Sequence, residues 1–98
     1  MQIIYRTKKL EKICTNASEA KKKYSLDMVR KIFLRIQEIQ SAEEVEIMLN
    51  YKIGRCHKLS GDRNGQYAVD LIHPYRLIFT IQGDVIEIAC IEEIVDYH

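Results

Sequence analysis

The chain has 98 residues, of which 47% are hydrophobic and 30% are charged, with four glycines and one proline. These values are typical of one globular domain covering residues 1–98, and they exclude a multidomain protein, a disordered chain and a low-complexity repeat. No apolar run approaches the roughly 18 residues that a membrane span needs, and the N-terminus has no apolar signal-peptide core. We therefore expect a cytoplasmic protein with no membrane partner.

Charge is unevenly distributed along the chain, although the net charge is only +1. Residues 1–35 carry ten Lys/Arg and three Asp/Glu, whereas residues 36–98 carry five and eleven. A basic half on a near-neutral chain suits a polyanion or an acidic partner, but a solvated helix face has the same composition. Both interpretations stay open at this point.

The three cysteines are widely spaced and form no CxxC pair. This pattern indicates neither a zinc knuckle nor a redox motif. We interpret the cysteines as small buried thiols of a protein in a reducing compartment.

The N-terminal half predicts one strand followed by helices. Residues 2–6 are β-rich and predict a short strand. Residues 8–14 predict a short helix, and the polar residues 15–18 predict a break after it. From there to about Gln40, apolar residues recur at spacings of three and four, which predicts a long amphipathic helix. Its buried stripe consists of Met28, Ile32, Phe33, Ile36 and Ile39.

A second helix is predicted to begin at Ser41. The sequence S-A-E-E places Glu44 three residues after this serine, which is the pattern of a capping box. The helix should end near Asn50, before Gly54. Its predicted buried residues are Val45, Met48 and Leu49.

The C-terminal half predicts hairpin-linked strands. Turn-forming residues at 60–65 and 82–84, and the dipeptide His73-Pro74, separate the apolar stretches. The predicted strands cover residues 55–59, 67–72, 75–81 and 85–91, and residues 94–98 extend or re-bend the last one. This order predicts an α+β fold, in which the N-terminal strand and the helices pack on one face of a mostly antiparallel sheet.

Arg76 is the exception within the apolar strand predicted at 75–81. A half-buried arginine is costly unless it is paired, and its planar fork fits a carboxylate or a phosphate. The two interpretations are an ion pair with Asp70 or Asp96 and a site for a phosphate group.

Two further groups of residues have chemical potential. Asp96, Tyr97 and His98 at the C-terminus could orient, stack and shuttle protons, although a polar terminus is often only solvated. His57 could transfer protons or be a satisfied surface residue, and its neighbour Cys56 has no further ligands at metal-binding spacings. No P-loop or Ser-hydrolase motif is present.

Three motifs together resemble one family. H-K-L-S-G-D-R-N-G-Q-Y at 57–67, Y-R-L-I-F at 75–79 and I-V-D-Y-H at 94–98 are similar to HigB-like plasmid maintenance killer toxins of the RelE/ParE superfamily. The resemblance covers nearly the whole chain. It implies the toxin of a type II toxin–antitoxin system, a ribosome-dependent mRNA endoribonuclease that inhibits translation. In such enzymes the ribose 2′-OH attacks its own 3′ phosphate, and no metal or other cofactor is implied.

The resemblance also implies roles for individual residues. Arg76 would bind the phosphate, His57 and His98 would be the acid and base candidates, and Asp96 would orient one of them. Tyr97 would stack on a base or donate its hydroxyl. The residues expected to contact RNA are Lys58 and Arg63.

Partners follow from the same resemblance. They are the ribosome, mRNA and an antitoxin of the helix-turn-helix, HigA-like type, and the toxin–antitoxin complex is expected to bind operator DNA. One departure concerns Ser60, where the family often has lysine in L-K-G-D-R, and Lys58 could partly replace that cation. The alternatives are a ParE-like toxin that inhibits DNA gyrase and cleaves nothing, and a decayed toxin that only binds its antitoxin.

Overall fold

The computed structural model describes residues 1–96, which form five strands and four α-helices. No helix within this range is long and apolar enough to cross a membrane. The elements in chain order are β1 (Gln2–Tyr5), α1 (Lys8–Thr15), α2 (Ala17–Lys21), α3 (Leu26–Ser41), α4 (Val45–Asn50), β2 (His57–Lys58), β3 (Gln66–Asp70), β4 (Tyr75–Gln82) and β5 (Ile88–Asp96).

The five strands form one mixed sheet in the order β1-β5-β4-β3-β2. β1 pairs with β5 in parallel, and the other three pairings are antiparallel. β4 therefore lies in the middle with a neighbour on each side, and its central residues Leu77, Ile78 and Phe79 are fully buried. The predicted α+β class with a mostly antiparallel sheet is confirmed.

The core lies between the helices and one face of the sheet. Ile32 and Ile39 of α3 and Met48 of α4 are fully buried against Leu77 and Phe79 of β4. Burying each such side chain contributes about 1.5–3 kcal/mol relative to exposure. Because side chains alternate along a strand, Ile78, which lies between these two residues on β4, points to the other face of the sheet, away from the helices.

The predicted capping box is wrong. Ser41 is the last residue of α3, and α4 begins at Val45 after Glu44, whose side chain makes no capping hydrogen bond. The backbone N–H of Val45 instead donates to the carboxylate of Glu87, at 2.8 Å. A free N–H of the first turn can be satisfied by any acceptor that the fold brings near it. Here that acceptor lies 42 residues away along the chain.

Two predicted strands begin later than expected. β2 contains only His57 and Lys58, because Ile53–Arg55 form a 3-10 turn before it. β5 begins at Ile88, after a loop in which the Val85 side chain is 96% exposed. β5 then continues to Asp96 as one strand with an irregularity in its pairing to β4, so the predicted extension of the last strand is confirmed up to this residue.

Candidate active site

A cleft of about 610 Å³ lies where β2, β3 and β4 meet the 3-10 turn that precedes β2. Two of the site residues predicted from sequence, His57 and Arg76, line it together. Leu49 and Cys56 are also part of its wall. The remaining lining residues are Lys52, Arg55 and Asp70.

Strand register explains why these side chains meet. Asp70 is the direct cross-strand partner of Arg76, and His57 is the partner of Ala68. Directly opposed residues share a sheet face, and so do residues two apart on one strand. His57, Asp70 and Arg76 therefore all lie on the face away from the helices.

Arg76 is the second residue of the eight-residue strand β4. Its Nε lies 3.5 Å from Oδ1 of Asp70, and its side chain is 34% exposed. The ion pair with Asp70 that the sequence left open is therefore present. A pair this exposed contributes little to stability, but it fixes the direction of the guanidinium group beside the cleft.

Asp70 also contacts a second arginine. Nε of Arg55 lies 3.2 Å from Oδ2 of Asp70, so the two carboxylate oxygens each face one guanidinium group. The backbone of Asp70 is held as well, because Nε of Arg35 donates to its carbonyl oxygen at 2.7 Å. Arg35 is largely buried and also pairs with Glu38 at 2.8 Å. The carboxylate between the two cleft arginines is thus anchored at its backbone.

The imidazole of His57 has a defined tautomer. Its Nδ1 lies 2.9 Å from the backbone carbonyl oxygen of Arg55. A carbonyl oxygen only accepts hydrogen bonds, so Nδ1 must carry the hydrogen. In the neutral ring Nε2 then has the lone pair, which makes it the nitrogen that can take up a proton.

The charge of the cleft favours an anion. Lys52, Arg55 and Arg76 are positive, and within residues 1–96 Asp70 is the only acidic residue that lines the cleft. Burial raises the pKa of the Cys56 thiol to about 11, so this thiol is protonated near neutral pH and is a poor nucleophile. The cleft therefore offers cations and an imidazole base.

Comparison with known proteins identifies the fold of this chain. No family model and no curated protein matches the sequence. Among solved structures, the YoeB/ParE toxin from Agrobacterium tumefaciens superposes with a TM-score of 0.68 and 14% sequence identity, over 100% of both chains. The chain therefore has the same fold as this YoeB/ParE toxin. The likeness does not extend to the HigB-like subtype, which stays a prediction.

Within this toxin fold, the turn before β2 has unusual backbone geometry. Lys52 and Arg55 have φ values of 51° and 57°, a region that favours glycine, and Gly54 between them has φ 60°. Each such non-glycine residue costs about 1–3 kcal/mol and persists where the surroundings hold it. Here two contacts stabilise the conformation of Arg55. Its guanidinium group pairs with Asp70, and its carbonyl oxygen accepts a hydrogen bond from His57. Strain of this kind is frequent at functional sites.

The sequence analysis did not single out Lys52, Arg55 or Arg35. The available signal was the run K-I-G-R at 52–55, which ends two residues before His57 and has a basic residue at each end. Arg35 had no signal, because an arginine on the polar side of a predicted helix is normally solvated.

Lys58 and Arg63 do not line this cleft. Lys58 is exposed and pairs with Tyr67, whose ring stacks on core residue Phe79, so it lies on the helix side of the sheet. β2 ends at Lys58, so the alternation of side chains along a strand does not place Lys58 and Ser60 on one face. The replacement of the family's lysine by Lys58 therefore loses its geometric basis. Arg63 donates to Gln66 at 2.9 Å and to Glu93 at 3.0 Å, which ties the turn Gly61–Arg63 to β5.

The C-terminal residues of the predicted site are only partly described. Asp96 is the exposed last residue of β5, and it pairs with Tyr75, the neighbour of Arg76. Tyr97 and His98 lie outside the described residues. Within residues 1–96, no group of three or more His, Cys, Asp or Glu is arranged to hold a metal ion.

Proposed function

We propose that this chain is the toxin of a type II toxin–antitoxin system and that it cleaves mRNA on the ribosome. The observation that carries the proposal is the cleft in which His57 and Arg76 meet, on the sheet face away from the helices, in a chain that shares the fold of a YoeB/ParE toxin. The motif resemblance to HigB-like toxins supports the same activity.

Cleavage by the substrate's own ribose requires three groups. A base removes the proton of the 2′-OH, a cation stabilises the phosphorane, and an acid protonates the leaving 5′ oxygen. As O2′ bonds to phosphorus, the bond from phosphorus to O5′ breaks. The products are a 2′,3′-cyclic phosphate, or the 3′-phosphate formed by its hydrolysis, and a 5′-OH.

The described residues can supply two of these groups. Nε2 of His57 is the proton acceptor, because Nδ1 is engaged with the carbonyl oxygen of Arg55. Arg76 supplies the cation. For the acid we propose His98, with Asp96 orienting it and Tyr97 stacking on a base, as the resemblance implies.

The proposed partners are the ribosome, mRNA and a HigA-like helix-turn-helix antitoxin, whose complex with the toxin would bind operator DNA. A ribosomal target places the protein in the cytoplasm. We retain Lys58 and Arg63 as RNA contacts outside the cleft. Arg63 would have to exchange Glu93 for a phosphate, since its guanidinium group already pairs with that carboxylate.

The test is a reconstituted translation reaction in which primer extension maps new 5′ ends on the mRNA. Wild type should produce 5′-OH ends only when ribosomes are present, and His57→Gln should slow cleavage by about 10²–10⁴. The control is His73→Gln, which removes an exposed imidazole that lies in a neighbouring pocket beside Arg76 but does not line the cleft.

Two other outcomes would replace the proposal. Absence of cleavage together with inhibition of gyrase supercoiling would favour the ParE-like alternative. If neither activity is found and the protein binds tightly to the antitoxin encoded by the neighbouring gene, the decayed toxin would be favoured.

A further inference from the structure

We propose that Asp70 is a positioning residue of the cleft: its carboxylate holds Arg55 beside Arg76, so that both guanidinium groups meet the charge that develops on one phosphate. This rests on the proposed ribonuclease function, and it adds Arg55 to the groups that contact the substrate. Asp70 itself would act only through the two arginines.

The geometry gives one oxygen of Asp70 to each arginine. Oδ2 lies 3.2 Å from Nε of Arg55, and Oδ1 lies 3.5 Å from Nε of Arg76. Two cations held on one small carboxylate are close to each other. Without an anion between them, they would repel and separate.

The carboxylate is itself well fixed. Asp70 is the last residue of β3, in direct register with Arg76. Its carbonyl oxygen accepts from Arg35, which is 13% exposed and is held by Glu38 in turn. This contact from α3 helps to fix the position of the Asp70 backbone.

Arg55 has the properties of a substrate-contacting group. Its side chain is 83% exposed although it is paired, so the guanidinium group is accessible from the cleft. Its backbone adopts a costly φ of 57°, and its carbonyl oxygen accepts from the proposed base His57. Arg55 therefore links the proposed base His57 to the pair of arginines at Asp70.

Asp70 has two opposing effects on catalysis. Its negative charge weakens the attraction of the cleft for RNA before reaction. Its placement of the two arginines favours the phosphorane, whose charge is greater than that of the diester. A charge-removing substitution should therefore strengthen binding and slow turnover, a combination that loss of a merely structural contact does not produce.

The experiment uses Asp70→Asn, which keeps the size of the side chain and one acceptor oxygen. Binding is measured by fluorescence anisotropy with a labelled 2′-O-methyl RNA decamer of mixed sequence, which lacks the attacking hydroxyl. The variant should bind about fivefold more tightly at low salt, and the slope of log K against log salt should steepen by about 0.7. Ribosome-dependent kcat should fall by up to about 10²-fold.

Asp84→Asn is the matched control, because it removes the same charge from an exposed loop at the other end of β4. It should leave binding, the salt slope and kcat at the wild-type values. Asp70→Glu restores the charge on a longer side chain, so its affinity should return to the wild-type value while kcat stays low.

The inference is overturned if Asp70→Asn binds the decamer no more tightly than Asp84→Asn, or if it turns over as fast as wild type. If Asp70→Asn does not fold, Arg55→Gln replaces it, and unchanged kcat in that variant overturns the inference. Wild-type protein that binds the decamer but cleaves no mRNA would contradict the proposed function alone. The inference would still be overturned in that case if Asp70→Asn bound the decamer no more tightly than Asp84→Asn.

Discussion

Gly54→Ala should destabilise the protein far more than an equivalent substitution at Gly61. Both glycines have a left-handed backbone, with φ 60° and φ 64°. An alanine in this region costs about 1–2 kcal/mol. At Gly61 nothing lies within 4 Å of the added Cβ, whereas at Gly54 the Cβ would lie 2.9 Å from both Cδ and Nε of Arg35.

Arg35 cannot move without losing its partners. Its Nε donates to the carbonyl oxygen of Asp70 at 2.7 Å, and its Nη1 bonds Glu38 at 2.8 Å. Loss of a hydrogen bond to a charged group costs about 1.5–3 kcal/mol. The expected loss for Gly54→Ala is therefore about 2.5–5 kcal/mol in total, a large part of the stability of a domain this size.

The measurement is urea unfolding of both variants and of wild type, followed by circular dichroism. Gly61→Ala gives the backbone term alone, and the difference between the two variants gives the cost of displacing Arg35. Equal losses of free energy in the two variants would refute the reasoning, because they would mean that Arg35 is not constrained by Asp70 and Glu38.

Three further outcomes are expected. Arg76→Ala should slow cleavage by two to three decades, since one contact from a cation to a developing dianion contributes about 3–4 kcal/mol. The control is Arg30→Ala, which removes an exposed arginine. If folded Arg76→Ala protein arrests growth as wild type does, Arg76 does not bind the phosphate. Cleavage should survive EDTA, because the substrate's 2′-OH removes the need for a metal-bound hydroxide; loss of cleavage on intact ribosomes would count against this mechanism. Deletion of His98 and His98→Gln should both slow cleavage by about 10²–10⁴, and if both keep wild-type rates, His57 transfers the protons alone.

Sequence periodicity predicted the helices and strands that have a continuous buried face. The apolar run at 75–81 became β4, whose central residues Leu77, Ile78 and Phe79 are fully buried. The stripe from Met28 to Ile39 became the buried side of α3. His57 and Arg76 could be singled out because their chemistry contrasts with that of their neighbours.

Contacts between distant residues could not be predicted in this way. The N–H of Val45 is satisfied by Glu87, and no local pattern encodes a partner on another element. The turn Ile53–Arg55 shortened β2 because the chain adopts a left-handed backbone at a non-glycine residue, which its tertiary contacts stabilise. Arg55 entered the cleft by the same route, so the run K-I-G-R at 52–55 could draw attention to this residue, but it could not predict the contact with Asp70.

The sequence left two interpretations of Arg76, an ion pair or a phosphate site, and the geometry makes them compatible. The pair with Asp70 is formed through Nε, at 3.5 Å and with a third of the side chain exposed, so its contribution to stability is small. A contact that contributes little to folding can still restrict the orientation of a guanidinium group. Such restriction lowers the entropic cost of meeting a phosphate in one geometry. The acidic partner of Arg76 is therefore better understood as part of the proposed site than as evidence against it.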